Sequence, residues 1–214
     1  MKKRIFVLGL VLLLVHLGYA QKEREVHILA ANDMHAAIEA FPQLAAIADS
    51  LRELYPSLLI FSAGDNRTRN PANDMFRISS YPMVAVMNEV GFDATALGNH
   101  EFDVGSLPPL MRYSGFSYIC ANIFPSKEAG LHTVPTKVFD VDGLKVGVIG
   151  VVQVNSQGRP DTHPDNVKGI RFALPKNVVA RYEEFSRQCD ATILLSHLGY
   201  QDDIEMAETY PWLD

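Results

Sequence analysis

Gly98-Asn99-His100-Glu101-Phe102-Asp103 decides how this chain is read. It follows Phe92-Asp93-Ala94-Thr95-Ala96-Leu97, a half-apolar run ending in glycine, the pattern of a strand feeding a tight turn. Such a turn presents an amide oxygen, an imidazole and a carboxylate from one short loop. Asparagine oxygen and histidine nitrogen are both metal-ligand types, and a histidine beside an aspartate is an oriented acid/base pair. A zinc-protease helix of the form His-Glu-x-x-His is excluded, because its second histidine would fall at Val104.

Outward from this loop, strands alternate with helices. Val26 to Ala30 reads as a strand ending at Asn32-Asp33-Met34-His35. A helix is expected over Phe41 to Leu54, with Leu44, Ile47, Ala48, Leu51 and Leu54 on one face. Leu58 to Phe61 reads as a buried strand ending at Gly64-Asp65-Asn66. Pro82 to Val90 is a helix with proline near its start and Gly91 just past its end. A helix over about 106–113 and a strand over Phe116 to Cys120 follow the central loop. Thr136 to Val141 and Leu144 to Val152 flank Asp142-Gly143, a strong hairpin signal. Pro175 to Gln188 is a helix, and Ala191 to Leu195 a strand ending at Ser196-His197-Leu198-Gly199. The order implies a layered α/β domain.

The polar residues gather at one kind of place. Asp33 and His35, Asp65, Asn99 with His100, and His197 all stand at the C-terminal end of an expected strand, where ligands bind in open α/β sheets. Singly, each has an ordinary alternative: helix caps or turns for the aspartates, satisfied histidines, a left-handed turn for Asn99. Four such strand ends together make independent turn roles a strained explanation. Glu101 reads as structural, and His27 as a packing residue inside its strand. Asn66-Arg67-Thr68 matches a glycosylation sequon but abuts the site. Gly147 and Gly150 hint at a dinucleotide loop whose first glycine is replaced by Lys145.

Lys2, Lys3 and Arg4 precede an apolar run from Ile5 to Leu17 and then Gly18-Tyr19-Ala20, the pattern of a secretory leader. The run is shorter than the ~20 residues that span a membrane, so no stable anchor is expected. The formal net charge is −6, and loss of the leader removes three positive charges. An acidic, exported protein is a poor ligand for nucleic acid polymers or anionic membranes. The mature chain, 21–214, suits one domain. Cys120 and Cys189 both sit in apolar surroundings and read as two buried thiols.

The four motifs, in order, resemble those of calcineurin-like metallophosphoesterases. Gly98-Asn99-His100-Glu101-Phe102-Asp103, with Asp103 three residues after the histidine, is most similar to the 5'-nucleotidase / UDP-sugar hydrolase family. That resemblance implies an α/β/β/α sandwich, the N-terminal catalytic domain, with two divalent ions (Mn, Zn, Mg or Ca). Asp33 and His35 would hold one ion, Asp65 would bridge, and Asn99 and His197 would hold the other. His100, oriented by Asp103, would stabilise the developing charge or protonate the leaving group. Asn99 and His100 would contact the phosphate of a small ester, a nucleotide by family habit. Arg69, standing where the family has glycine, either clashes with close backbone approach or contacts that phosphate. The resemblance also implies a Gly-His-x-His motif and a separate C-terminal substrate-binding domain, neither of which occurs up to Asp214. The sandwich is thus expected to be incomplete at its C-terminal end, with a weak or inactive metal-binding remnant as the alternative reading. A sibling hydrolase of nucleotide sugars or cyclic nucleotides is the other alternative. Ala36 and Arg69 stand where the family commonly has glycine.

Overall fold

The computed structural model describes residues 24–103 and 107–214; the expected leader, Met1 to Ala20, lies outside them. β1 (Ile28–Ala31) leads to α1 (Phe41–Leu54), β2 (Leu59–Ser62), a short α2 (Pro71–Asp74) and α3 (Tyr81–Val90). β3 (Ala94–Thr95) precedes a 3-10 turn over His100–Phe102, then α4 (Leu107–Met111), β4 (Ser117–Tyr118) and β5 (Ile123–Pro125). The hairpin of β6 (Thr136–Val141) and β7 (Leu144–Val152) follows, then β8 (Ile170–Phe172). The order closes with α5 (Pro175–Val179), α6 (Glu183–Ser186), β9 (Ala191–His197) and α7 (Tyr200–Thr209).

Two sheets face each other. One is parallel throughout in the order β1-β2-β3-β4; the other is β6-β7-β9, with β7 antiparallel to β6 and parallel to β9. Side-chain alternation along each strand decides the layers. Leu59 and Phe61 of β2 point to an inner core shared with Val146 and Val148 of β7, whereas Ile60 points outward to Met83, Met87 and Leu110 under α1, α3 and α4. The opposite face of the second sheet packs Ile149 and Val151 against Val178, Val179 and Met206 on α5 and α7. The result is the expected α/β/β/α sandwich. Along the outer edge of β9, Asp214 pairs with Thr192 through both its N–H and its side chain.

Several boundaries differ from the sequence pattern for physical reasons. On α1 the buried stripe is Phe41, Leu44, Ala48 and Leu51; Ile47 and Leu54 lie one step round the helix and are 52% and 69% exposed. The strand expected over 92–97 keeps only Ala94–Thr95 in the ladder, because Ile60 N–H is taken at 2.8 Å by the side chain of Asp93. The helix expected over 175–188 tightens to 3-10 geometry at Ala180–Tyr182. That spacing brings Tyr182 and Phe185 edge to face over the second sheet. β5 and β8, which pair antiparallel, α2 and α7 were not expected.

Gly147 and Gly150 serve packing rather than a dinucleotide. A Cβ on Gly150 would lie 2.0 Å from the Ile119 carbonyl, and one on Gly147 2.6 Å from Cys189 Sγ. Both cysteines are free thiols, Cys120 buried and Cys189 half-buried. Burial pushes the Cys120 thiol up to about 12. Asn66 is 3% exposed and its amide donates to Thr95 Oγ1, so the sequon is closed to a glycan. His27 stacks on Tyr55 with ring centres 3.6 Å apart, the packing role expected of it.

Glu101 aligns the loops that leave β2 and β3. Its buried carboxylate accepts from the N–H groups of Asp65 (2.8 Å), Asn66 (2.8 Å) and Gly98 (2.6 Å). Burial, and then the nearby Asp65 charge, raise its pKa against the pull of those three donors. Replacing it by alanine strands three buried donors, each worth ~1–3 kcal/mol. Glu101→Ala is therefore expected to lose ~3 kcal/mol or more in urea unfolding, with Glu101→Gln between it and wild type.

Asp93 is half-buried, and burial raises its pKa despite the Ile60 N–H bond and the charges of Arg52 and Lys137. A folded pKa above the unfolded one means that the folded state holds its proton longer. Stability is then greatest below the unfolded value and falls as pH rises through the folded one. Asp93→Asn keeps an acceptor for Ile60 and should flatten this part of the pH–stability curve. Asp93→Ala should cost ~1–3 kcal/mol at every pH. Thermal melts of both variants between pH 3 and 7 check the pair.

Candidate metal and phosphate site

The loop after β1 is built on left-handed backbone. Asp33, His35 and Ala36 have φ of 50°, 44° and 54°. Each turns its N–H onto the loop after β2: Asp33 to Gly64 O (3.2 Å), His35 to Asp65 O (3.0 Å) and Ala36 to Asn66 O (2.8 Å). In the second loop Asp65, Thr68 and Arg69 are left-handed as well, at 52°, 72° and 73°. Ala36 and Arg69 thus occupy the conformation that favours glycine, which gives the family's preference there a physical cause.

Gly64 and Gly98 bring the second and third loops into backbone contact. A Cβ on Gly64 would meet Gly98 N at 2.6 Å, and one on Gly98 would lie 2.1 Å from Asp65 Oδ1. Asp65 is 2% exposed. Its Oδ1 accepts the His100 backbone N–H at 2.8 Å, and its Oδ2 lies 3.3 Å from His197 Nε2 and 3.9 Å from His100 Nε2. Burial pushes the Asp65 carboxyl up, but the hydrogen bond and charge of His197, with the N–H and ring of His100, more than offset it. The carboxyl is held below its usual range. Burial likewise works against the His197 imidazolium, and Asp65, then Glu101 and Asp33, outweigh it and raise its pKa.

The imidazoles are directional. His197 Nδ1 is 3.0 Å from the Ala63 carbonyl, which can only accept, so Nδ1 carries the proton and Nε2 faces Asp65. His100 Nδ1 bonds Asp103 Oδ2. Its Nε2 lies 3.3 Å from Arg69 Nη2, a donor only, so that nitrogen offers a lone pair. His35 meets His100 edge to face, with ring centres 4.9 Å apart, and its buried Nδ1 has no hydrogen-bond partner. Asn99 lines, with Asp33 and His197, a cavity of about 600 Å³ whose wall also includes Asp161. Its Nδ2 donates to the Asp161 carbonyl at 3.3 Å.

All the residues expected at the site are gathered there. Ligand atoms of His35, Asp65 and His100 lie within 4.8 Å of one another, and so do those of Asp33, Asp65 and His197. Asp65 is common to both groups. His100, expected to act in catalysis, also stands within a donor group. Nitrogen and carboxylate donors at this spacing suit a divalent cation, and His35 turns its Nε2 to within 3.6 Å of Asp33 Oδ1. Sequence reading missed the 153–168 segment, which supplies Asp161 and Thr162, because nothing there departs from an ordinary polar loop. Its approach to Asn99 and Asp103 depends on tertiary folding alone.

Comparison with known proteins agrees with this geometry. The calcineurin-like phosphoesterase model matches residues 26–212. A probable 5'-nucleotidase from Treponema pallidum is 27% identical, covering 93% of this chain and 34% of the relative. The NAD 5'-nucleotidase of Haemophilus influenzae is 30% identical, covering 88% and 34%. The solved structure of that organism's NAD nucleotidase superposes with a TM-score of 0.76 at 29% identity, over 86% of this chain and 36% of that one. The chain thus spans about a third of the length of the curated relatives it matches. Together, the matched residues and the four loops converging on Asp65 establish that the chain belongs to the calcineurin-like phosphoesterase family.

Proposed function

We propose that this chain carries the catalytic domain of a metal-dependent phosphoester hydrolase of 5'-nucleotidase type. The observation behind this reading is that Asp65 belongs to both donor groups, so one carboxylate would serve two cation positions. By motif position, Asp33 and His35 would hold one divalent ion and Asn99 and His197 the other, with Asp65 shared, although the donor atoms themselves group Asp33 with His197 and His35 with His100 around Asp65. Divalent ions so held neutralise phosphoryl oxygens and lower the pKa of water.

The chain's own groups do the rest. His100 keeps Nδ1–H on Asp103 and turns Nε2 toward the cavity. Protonated at Nε2 as the imidazolium, it gives that proton to the leaving oxygen as the phosphorus–oxygen bond breaks and returns to the neutral Nδ1–H form. Water adds to phosphorus in line, with no covalent link to the protein. Arg69, paired with His100 Nε2 while no phosphate is bound, transfers its guanidinium to the phosphoryl oxygens, the fork geometry for which arginine is suited. The names of the relatives support a nucleotide as the ester. The Met1 to Ala20 pattern supports export. Among the described residues no helix is long and apolar enough to cross a membrane.

Three variants test the reading, assayed with p-nitrophenyl phosphate and AMP in the presence of Mn²⁺, Zn²⁺, Mg²⁺ or Ca²⁺. Asp65→Asn should lose bound metal in elemental analysis and all turnover. His100→Ala should keep its metal and slow turnover by ~10²–10⁴-fold. Equal metal loads in these two variants would overturn the division of roles. Arg69→Ala should lower kcat/KM by ~10–100-fold through the lost charged contact. Unchanged kinetics there would remove Arg69 from the site.

A further inference from the structure

Two consecutive residues of the segment after β7 hold both ends of the Asn99–Asp103 loop. Thr162 Oγ1 lies 3.1 Å from Asp103 Oδ1. The same hydroxyl oxygen accepts from Asn166 Nδ2 at 3.3 Å. A hydroxyl has one proton, and with its oxygen receiving the amide that proton points to the carboxylate, which can only accept. Asn166 Nδ2 also approaches the Asp103 carbonyl at 3.4 Å. Asp103 is therefore clamped at Oδ1 and at its backbone, leaving Oδ2 for His100 Nδ1.

The neighbouring residue acts on the other end. The Asp161 carbonyl takes the Asn99 amide N–H, which commits the nitrogen end of that side chain and leaves its oxygen for the cavity. Asp161 is itself anchored, its Oδ1 accepting from Asn155 Nδ2 at 2.7 Å. Asn155 also receives the Gln157 N–H and pairs with Arg159 across the turn. The segment is thus tied to itself before it touches the loop.

We propose that Thr162 is a positioning residue for the His100–Asp103 pair: its hydroxyl fixes the Asp103 carboxylate so that His100 keeps Nδ1–H on Asp103 and, when protonated at Nε2 as well, aims that second N–H at the leaving oxygen. This deepens the function proposed above and rests on it for the chemistry, though not for the geometry. Thr162 touches neither cation donors nor substrate, and its effect passes through Asp103.

The test compares Thr162→Val, which keeps the shape and removes the hydroxyl, with Thr162→Ser, which keeps the hydroxyl. Metal content is measured on each, and kcat and KM on phenyl phosphate and p-nitrophenyl phosphate. A poor leaving group needs its proton, whereas p-nitrophenolate departs without it. Thr162→Val is expected to retain its metal and to lose about 10-fold in kcat on phenyl phosphate, the usual scale for an outer hydrogen-bond partner. On p-nitrophenyl phosphate it should change by less than about twofold, and Thr162→Ser should match wild type on both. Independently of activity, ¹⁵N imidazole spectra of the metal-free protein should show His100 protonated at Nδ1 in wild type and Thr162→Ser. In Thr162→Val they should show a mixture of tautomers. An unchanged tautomer in Thr162→Val, or equal losses on both esters, would overturn the proposal. Should Thr162→Val fail to fold, Thr162→Ala, which also lacks the hydroxyl, is read in the same way. A wild-type chain that hydrolyses neither ester would sink the hydrolase reading while the spectra still decide the role of Thr162.

Discussion

A single buried carboxylate holding three backbone N–H groups is the constraint on which this site depends. Asp65, Asn66 and Gly98 lie on loops that leave different strands, and Glu101 joins them. Once they are joined, His100 N–H falls on Asp65 Oδ1 and Gly64 touches Gly98 with no room for a side chain. Arg67 extends the join, donating to the Glu101 carbonyl at 2.7 Å and to Ser80 Oγ at 2.9 Å. The site is thereby tied to the start of α3. Burying such a carboxylate is unfavourable unless its lone pairs are used. Here they are used on donors that no strand partner takes.

The backbone around the site is strained in a way that fits the same constraint. Six residues other than glycine in the first two loops hold left-handed φ, and such a conformation costs roughly 1–2 kcal/mol each for residues with a Cβ. Aspartate tolerates it better than alanine or threonine, so Asp33 and Asp65 are the mildest cases. Ala36, Thr68 and Arg69 are the costly ones. Ala36 persists because its loop is fixed from outside itself, its N–H by Asn66 O and its carbonyl by Asn70 Nδ2 at 2.9 Å. Strain of this kind collects where the fold over-determines a loop, as at a site that must be rigid before its ligand arrives.

Much of this was legible in the residues. Strand ends carrying Asp33, Asp65, Asn99 and His197 could be read because a parallel sheet puts all its C-terminal ends on one rim. The hairpin at Asp142-Gly143 was equally plain, since few residues fit a turn where Asp142 and Gly143 take φ of 52° and 79°. What stayed hidden were features made by distant contacts. Glu101 looked structural, but nothing local said that two of its three partners sit 36 and 35 residues away. The edge to which α1 turns Ile47 and Leu54 depends on neighbours, not on period. β5 and β8 are three residues each and separated by a hairpin, so their pairing leaves almost no local trace. The Asp161–Thr162 turn has the composition of any surface loop.

The polarity of the hydrogen bonds lies one level below even these contacts. Each donor side chain at the site has one end tied to the protein and another turned inward. Asp65 spends Oδ1 on His100 N–H and offers Oδ2. His197 spends Nδ1 on a carbonyl and offers Nε2. Asn99 spends its nitrogen on a carbonyl, and His100 its Nδ1 on a carboxylate. Tethering fixes tautomer and amide orientation together. Asp65 and Asn99 turn lone pairs inward. His197 Nε2 would turn one to a cation on giving up the proton it shares with Asp65, and His100 Nε2 must carry a proton to act as an acid. His35 alone breaks the pattern: its Nδ1 is buried with nothing to meet it. Its Nε2 is the nitrogen that lies near Asp33 Oδ1, at 3.6 Å, so the ring is held by packing rather than by a tether on Nδ1, and a divalent cation at that rim would fix the orientation that no hydrogen bond fixes.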